Sequence, residues 1–210
     1  MTYTDDTEMA LSIVEILQER GSIDQDLLAT RFANRMQFNR GYGRGAYTVF
    51  WGVKQGVDWR LGTRIGFRGM GSFGNGAAMR VAPLGAFFAD QPLGMVCKQA
   101  RLSAEVTHAH PEGIAGAIAV AVAAALAWQQ RGTSGVLGPS WIAAVRDAIP
   151  PGYNRDAVGE ALDVPPDARS LRQLKRLAMA QALPLPTLCR CAFGSFLTLA
   201  PASMRPCGTR

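Results

Sequence analysis

Apolar residues recur at helical spacing along most of the chain, and they predict a series of helices. The first helix is predicted over Glu8–Arg20 with Gly21 as its stop signal, and Ser22 is predicted to cap the second. Further helices are predicted over 47–55, 77–90, 92–101, 113–131, 141–148 and 171–183. No stretch shows the period of two that is typical of a strand, so the sequence predicts an all-α fold.

Two glycine-rich stretches, 39–46 and 62–76, interrupt this helical pattern. The first has glycine on alternate residues, at Gly41, Gly43 and Gly45, and glycine disfavours a stable helix. The first stretch is therefore predicted to be a loop.

The composition is that of a globular domain, with 48% hydrophobic and 18% charged residues. The most apolar run, 114–128, is short for a membrane span, so a buried core helix is predicted there. Acidic residues, Asp5, Asp6 and Glu8, stand where a signal peptide would be basic. We therefore expect a cytoplasmic protein that acts at no membrane.

The chain carries a net charge of +6. The arginines that supply most of it are scattered, and no nucleic-acid partner is expected. A basic surface favours the approach of an anionic ligand such as a nucleotide, although a codon bias toward arginine explains the charge equally well. The four cysteines lack the spacing of a zinc site and are expected to be free thiols.

The segment Thr4-Asp5-Asp6-Thr7 is the first candidate for chemistry. Adjacent carboxylates beside a hydroxyl are oxygen ligands that suit Mg²⁺ or Mn²⁺. The same residue types are also ordinary caps of a helix N-terminus.

The glycine-rich stretches are the second candidate, because glycine lets the backbone approach a phosphate group closely. The pattern Gly69-x-Gly71-x-x-Gly74 matches a dinucleotide-binding motif, but no strand precedes it, so a Rossmann domain is a poor interpretation. Tight turns between packed helices remain the alternative. His108 and His110 could hold a metal, contact a ligand phosphate or cap a helix.

Four motifs in this order resemble the ADP-ribosylglycohydrolase family, of the dinitrogenase-reductase-activating type. They are T-D-D-T-x-M, R-G-Y-G-R-G-A, G-S-F-G-N-G-A-A-M-R and T-H-x-H-P, and they lie within Thr4–Trp128. The resemblance implies a compact all-α bundle around a two-metal centre of magnesium or manganese. It also implies hydrolysis of the bond between ADP-ribose and an acceptor such as arginine, serine or an acetyl group, on a protein or a small molecule.

The resemblance assigns roles to particular residues. It implies that Thr4, Asp5 and Asp6 bind metal, and that Gly41, Gly43 and Gly45 lie along the diphosphate. It implies that ADP-ribose is cradled by Ser72, Phe73, Gly74, Asn75 and Gly76. His108 is expected to contact the diphosphate or the ribose.

Two parts of the family pattern do not occur in the chain. These are a first helix with a G-D-A-x-G-like segment and an acidic residue, and a later G-G-D-x-D-T-like segment with further metal ligands. The catalytic residue is therefore unknown, and about half of the metal ligands are present. The leading interpretation is a hydrolase of ADP-ribosyl bonds by descent, from which we expect little or no hydrolysis in this chain. An ADP-ribose-binding module and a non-functional fragment are the alternatives to it.

The family-like domain is predicted to span 1–183, and the tail, 184–210, lacks helical periodicity. Codons compatible with residues 201–210 can read GFDEALRDA in another frame, which has the pattern of an amphipathic helix. We therefore predict a frameshift near 184–196 and a late start codon, and sequencing of the flanking DNA checks this. The absence of both an upstream frame with GD and a downstream frame with GGDxDT would contradict the prediction.

Overall fold

The computed structural model describes residues 3–132 and 138–162, and every regular element within them is helical. The predicted all-α fold is confirmed. The helices are α1 (Asp5–Arg20), α2 (Gln25–Arg35), α3 (Arg44–Lys54), α4 (Trp59–Ile65), α5 (Ala82–Phe87), α6 (Leu93–Glu105), α7 (Pro111–Gln129), α8 (Pro139–Ala148) and α9 (Tyr153–Glu160). Short 3-10 turns lie at Phe38–Arg40 and Phe67–Gly69. The predicted helix at 171–183, the tail and three of the four cysteines lie outside the described residues.

Helix α7 is the centre of the fold, and it packs against α5, α6, α8 and α9. Every residue from Gly113 to Ala125 is buried, and most of them are alanine or valine. The length and hydropathy of α7 also suffice to cross a membrane, but 72% of its apolar window is buried inside the protein. The predicted core helix is therefore confirmed.

Small residues let α7 and its neighbours approach at backbone distance. A Cβ built on Gly85 of α5 would collide with the carbonyl oxygen of Ala121 and would lie 2.9 Å from the Cβ of Ala124. Gly85 is therefore required by close helix packing, because no side chain fits between the two helices.

The two predicted first helices are present and pack against each other, and the predicted stop signal, Gly21, is in the left-handed conformation at φ 70° after α1. The predicted cap of α2 is wrong. Asp24, and not Ser22, caps it, because the Asp24 carboxylate accepts a hydrogen bond from the Leu27 N–H at 3.0 Å.

The glycine-rich stretches led to wrong predicted boundaries for several elements. The first glycine-rich stretch is only partly a loop, because α3 begins at Arg44 and includes Gly45. The second stretch contains most of α4, in which a Cβ on Gly62 would lie 3.8 Å from Val49 of α3. In both cases the glycine lies inside a helix and not at a chain reversal.

One further helix prediction was wrong, and one helix was not predicted. The helix predicted over 77–90 consists of turns followed by the short α5, since Pro83 stands in the first turn of that helix and cannot donate a backbone hydrogen bond. Helix α9 was not predicted. The Glu112 carboxylate caps it, accepting from the N–H groups of Tyr153 and Asn154 at 2.8 and 2.9 Å.

Replacing Gly85 by alanine tests the close approach of α5 to α7. We expect Gly85→Ala to lower the free energy of unfolding by about 3 kcal/mol, because the new methyl group forces the two backbones apart. Urea unfolding followed by circular dichroism measures the change.

The matched control is Gly94→Ala, since Gly94 also lies in a helix but has open space around its Cα. We expect this variant to be as stable as the parent or more stable, by up to about 1 kcal/mol. Equal stability of Gly85→Ala and the parent would contradict the packing argument.

Candidate functional site

Four segments that are far apart in the sequence meet around one site. They are the start of α1, the loop before α3, the loop at 71–76, and the turn before α7. A closed series joins them through side-chain contacts and, at 8–9, 42–45 and 108–110, through the chain itself. We call it the site ring: Glu8, Tyr42, Gly45, Phe67, Phe73, His110, His108, Thr107, Arg80 and Met9.

The predicted metal ligands lie at the N-terminus of α1. The Asp6 carboxylate accepts a hydrogen bond from the Thr4 hydroxyl and another, at 2.7 Å, from the Thr7 N–H. Asp5 is half-buried, and burial, together with the nearby charges of Asp6 and Glu8, raises the pKa of its carboxyl group. Asp5 thus carries a charge that the protein compensates poorly.

The donor set at this helix start fits a hard cation in kind but is only partial. Two carboxylates and a hydroxyl are available from Thr4, Asp5 and Asp6. Within residues 3–132 and 138–162, no three His, Cys, Asp or Glu side chains are grouped so as to hold a metal ion. The His108-x-His110 pair is also not arranged as a metal site, because His110 caps α7 by accepting from the Glu112 N–H at 3.1 Å.

Glu8 joins α1 to the first loop, and the sequence analysis did not single it out for this role. Its carboxylate is fully buried, and its Oε1 accepts a hydrogen bond from the Tyr42 hydroxyl at 2.7 Å. The Arg40 Nε lies 3.5 Å from Glu8 Oε2, within ion-pair range but without a hydrogen bond. A glutamate on the apolar face of α1, one residue before Met9, was the available signal.

The first loop presents a helix N-terminus to the site. Gly41 has a φ of 85°, which glycine adopts at little cost, and Gly43 precedes the first turn of α3. The first N–H groups of a helix have no partner within it, and they attract anions. Gly45 lies in this turn against the Phe67 ring, where a Cβ would be 3.2 Å from the nearest ring carbon.

An aromatic run connects the two loops. The Phe67 ring lies 5.9 Å from that of Phe73, which lies 5.2 Å edge-on from the His110 imidazole. Phe67 is 47% exposed and has a φ of 56°, which is uncommon for a residue with a bulky side chain. The sequence analysis predicted Phe73 but missed Phe67, whose position depends on this turn of the backbone.

The loop at 71–76 lies directly on the start of α7. Gly71 has a φ of 75°, and a Cβ there would lie 2.6 Å from the Cβ of Ala109. On the facing helix, a Cβ on Gly113 would lie 2.7 Å from the Ser72 carbonyl oxygen. The residues from Ser72 to Gly76 are half-buried, so the loop is fixed from below and open on one side.

His108 lies beneath this loop with both ring nitrogens bonded to the protein. Its Nδ1 is 2.7 Å from the Thr107 hydroxyl, and its Nε2 is 3.1 Å from the Gly74 carbonyl oxygen. Burial and, to a lesser extent, the positive charge of Arg80 lower the pKa of His108 to about 3, so the ring is neutral at pH 7. The expected contact of His108 with a ligand stays a prediction, since the structure shows the ring supporting the loop.

Comparison with known proteins places these motifs in a family context. The sequence model of the ADP-ribosylglycohydrolase family matches residues 1–203. The chain is similar to the ADP-ribosylhydrolase ARH3 of Homo sapiens, with 43% identity over 136 residues. That match covers 63% of this chain and 37% of the human protein.

Two microbial relatives extend the comparison. An uncharacterized protein of Archaeoglobus fulgidus is 37% identical over 125 residues, which cover 59% of this chain and 39% of that protein. The uncharacterized protein YegU of Escherichia coli is 31% identical over 154 residues, or 70% of this chain and 42% of that protein. The chain thus spans less than half the length of the relatives it matches.

Removing the Tyr42 hydroxyl tests the link between α1 and the first loop. We expect Tyr42→Phe to lower the free energy of unfolding by about 1–3 kcal/mol, because the buried Glu8 carboxylate loses its hydrogen-bond donor. Urea unfolding measures the difference.

Tyr47→Phe is the control, since the Tyr47 ring packs against Phe38 and Trp51 on the same segment and its hydroxyl donates to no group in the described part of the chain. We expect a change below about 0.5 kcal/mol for this variant. Similar losses in the free energy of unfolding for both substitutions would show that the Glu8–Tyr42 hydrogen bond adds no stability of its own.

Proposed function

The chain belongs to the ADP-ribosylglycohydrolase family, and from this premise we propose that it binds ADP-ribose across the site ring and acts on the bond between ADP-ribose and an acceptor, with little hydrolysis by this chain because its metal-ligand set is partial among the described residues. The observation that carries the proposal is the closure of the site ring. It brings together acidic, glycine-rich and aromatic segments that are distant in sequence, and together they suit the chemical parts of ADP-ribose.

The two glycine-rich loops suit the diphosphate. The N-terminus of α3 and the loop at 71–76 offer backbone N–H groups, which bind phosphate oxygens without a buried counter-ion. Arg44 stands exposed in the first turn of α3 and adds attraction for an anion. Neutral donors fixed by packing hold a charged ligand with little reorganisation.

Phe67 and Phe73 suit the adenine base. Their ring centroids are 5.9 Å apart, which is too close for a base to lie between them in this arrangement. The exposed face of Phe67 is open for stacking, and its turn contains Arg68 and Gly69, both at positive φ. We infer that the base stacks on Phe67, with Phe73 supporting that ring from behind.

The start of α1 suits the metal-dependent part of the reaction. Thr4, Asp5 and Asp6 would hold Mg²⁺ or Mn²⁺, and a cation there would compensate the charge of the half-buried Asp5. When bound, the metal supplies orientation of a water molecule and of the ribose hydroxyls, and it stabilises charge as the glycosidic bond breaks. The chain's own carboxylates position this chemistry at one edge of the site ring.

The second candidate function is ADP-ribose binding without hydrolysis. It is favoured by the partial ligand set, since no third Asp, Glu, His or Cys side chain is grouped with Asp5 and Asp6 among the described residues. The diphosphate and base contacts proposed above do not depend on a complete metal centre. Neither candidate function specifies the acceptor, which is arginine, serine or an acetyl group on a protein or a small molecule.

Calorimetry with ADP-ribose, with and without Mg²⁺, tests binding. We expect Phe67→Ala to weaken binding about tenfold, because the base loses its stacking surface. Phe87→Ala is the matched control, since Phe87 is 50% exposed but lies on α5 outside the site ring. An equal effect of both variants, or none, would contradict the base site.

Release of ADP-ribose from an ADP-ribosylated protein separates the two functions. Release that requires Mg²⁺ and is lost in Asp5→Asn supports hydrolysis, whereas binding heat without release supports the binding module. Absence of both heat and release in the folded wild-type chain would contradict the family-based proposal.

A further inference from the structure

Arg80 is a fully buried cation, and no carboxylate lies within ion-pair distance of it among the described residues. Its Nη2 donates to the Ser103 carbonyl oxygen at 2.7 Å and to the Thr107 hydroxyl at 2.9 Å. Its guanidinium lies 4.6 Å from the centroid of the Phe32 ring. Burying a charge in this way is costly, so we looked for a role that a cation at this position serves.

The direction of the hydrogen bonds that start at Arg80 follows from which atoms can donate. A guanidinium can only donate, so the Thr107 oxygen accepts from it, and the Thr107 proton can then point to His108 Nδ1 at 2.7 Å or, at the longer distance of 3.5 Å, to the Ala104 carbonyl. The Gly74 carbonyl can only accept, so the His108 Nε2 carries the proton. In the neutral ring Nδ1 then has no proton and accepts from the Thr107 hydroxyl.

The far end of this series fixes the orientation of one peptide group in the loop. The Gly74 carbonyl points inward to His108, and the described backbone contains no cis peptide bond. In a trans peptide the N–H of the next residue points opposite to the carbonyl. The Asn75 N–H therefore points away from His108, to the open side of the loop, and no acceptor within the described residues takes it.

We propose that Arg80 and Thr107 are positioning residues, which act through His108 to hold the Gly74–Asn75 peptide with its N–H directed at a phosphate oxygen of the ligand. The inference rests on the proposed binding of ADP-ribose and adds the side chains that set the binding geometry. Neither residue touches the ligand. They act by excluding the flipped peptide, whose carbonyl would repel the phosphate.

Close packing around His108 makes the ring a rigid part of the series. A Cβ on Gly76 would lie 3.2 Å from His108 Cε1, and a Cβ on Gly113 would lie 2.8 Å from Cδ2. Glycine backbone therefore borders the imidazole at both edges, with no room for a side chain at either position. The Gly74 carbonyl requires the proton on Nε2, and Thr107, oriented by Arg80, supplies the donor that matches the unprotonated Nδ1.

Nitrogen NMR of the full 210-residue chain reads the proton arrangement directly, because the chain has only two histidines. We expect the wild-type His108 to show a protonated Nε2 and a hydrogen-bonded, unprotonated Nδ1 at pH 7. His110→Gln, which removes the second histidine, provides the assignment. A wild-type His108 with its proton on Nδ1, or with protons on both nitrogens, would overturn the proposal whatever the ligand does.

Variants of Thr107 then connect the arrangement to binding. We expect Thr107→Val to shift the Nδ1 signal toward that of an unbonded nitrogen and to weaken ADP-ribose about tenfold in calorimetry. Thr107→Ser keeps the hydroxyl and is expected to restore both the signal and the affinity. Arg80→Met, which removes the first donor, is expected to weaken ADP-ribose in the same way.

The outcomes separate this inference from the proposed function. A shifted Nδ1 signal with unchanged ADP-ribose affinity would overturn the positioning role while leaving the binding site intact. Failure of Thr107→Ser to restore the affinity would do the same. Absence of binding by the folded wild-type chain would instead contradict the proposed function, and the nitrogen spectrum would still decide the proton arrangement. If Thr107→Val does not fold, the wild-type spectrum and Arg80→Met decide.

Discussion

The buried guanidinium of Arg80 is the constraint on which the site depends. Desolvation lowers its pKa to about 9, which still leaves it charged at pH 7. Its contacts reach Met9 on α1, Phe32 on α2, and Ser103 and Thr107 at the end of α6. These contacts join the three helices through one buried side chain, although its Nε has no hydrogen-bond partner among the described residues.

Glycine supplies the second constraint, through close contact and not through flexibility. Gly71 and Gly113 face each other's segments with no room for a methyl group, so the loop at 71–76 lies directly on α7. Gly85 brings α5 equally close to the same helix. The binding loop thus shares its support with the core, and changes that loosen α7 alter both stability and the site.

The polar residues of the site follow a common arrangement. Glu8 beside Tyr42, and His108 beside Thr107, are buried groups that act on the site from behind. In the proposed complex, the groups that face ADP-ribose are backbone N–H donors, the Asp5 carboxylate and the Phe67 ring. Buried hydrogen bonds are fixed by packing, so they can hold the exposed groups in place before the ligand arrives.

Helical periodicity predicted the all-α fold and the core helix α7, and four motifs predicted the family, because both kinds of signal are local in the chain. The roles of Glu8, Tyr42, Phe67 and Arg80 depend on contacts between residues 23 to 71 positions apart or on one unusual φ, and no local pattern reports these. Likewise, a glycine-rich stretch of sequence predicts a loop, whereas only the tertiary structure shows which glycines lie at close contacts between helices. The sequence alone determined which groups are available, and the packing decided which of them face the proposed ligand site and which support those groups from behind.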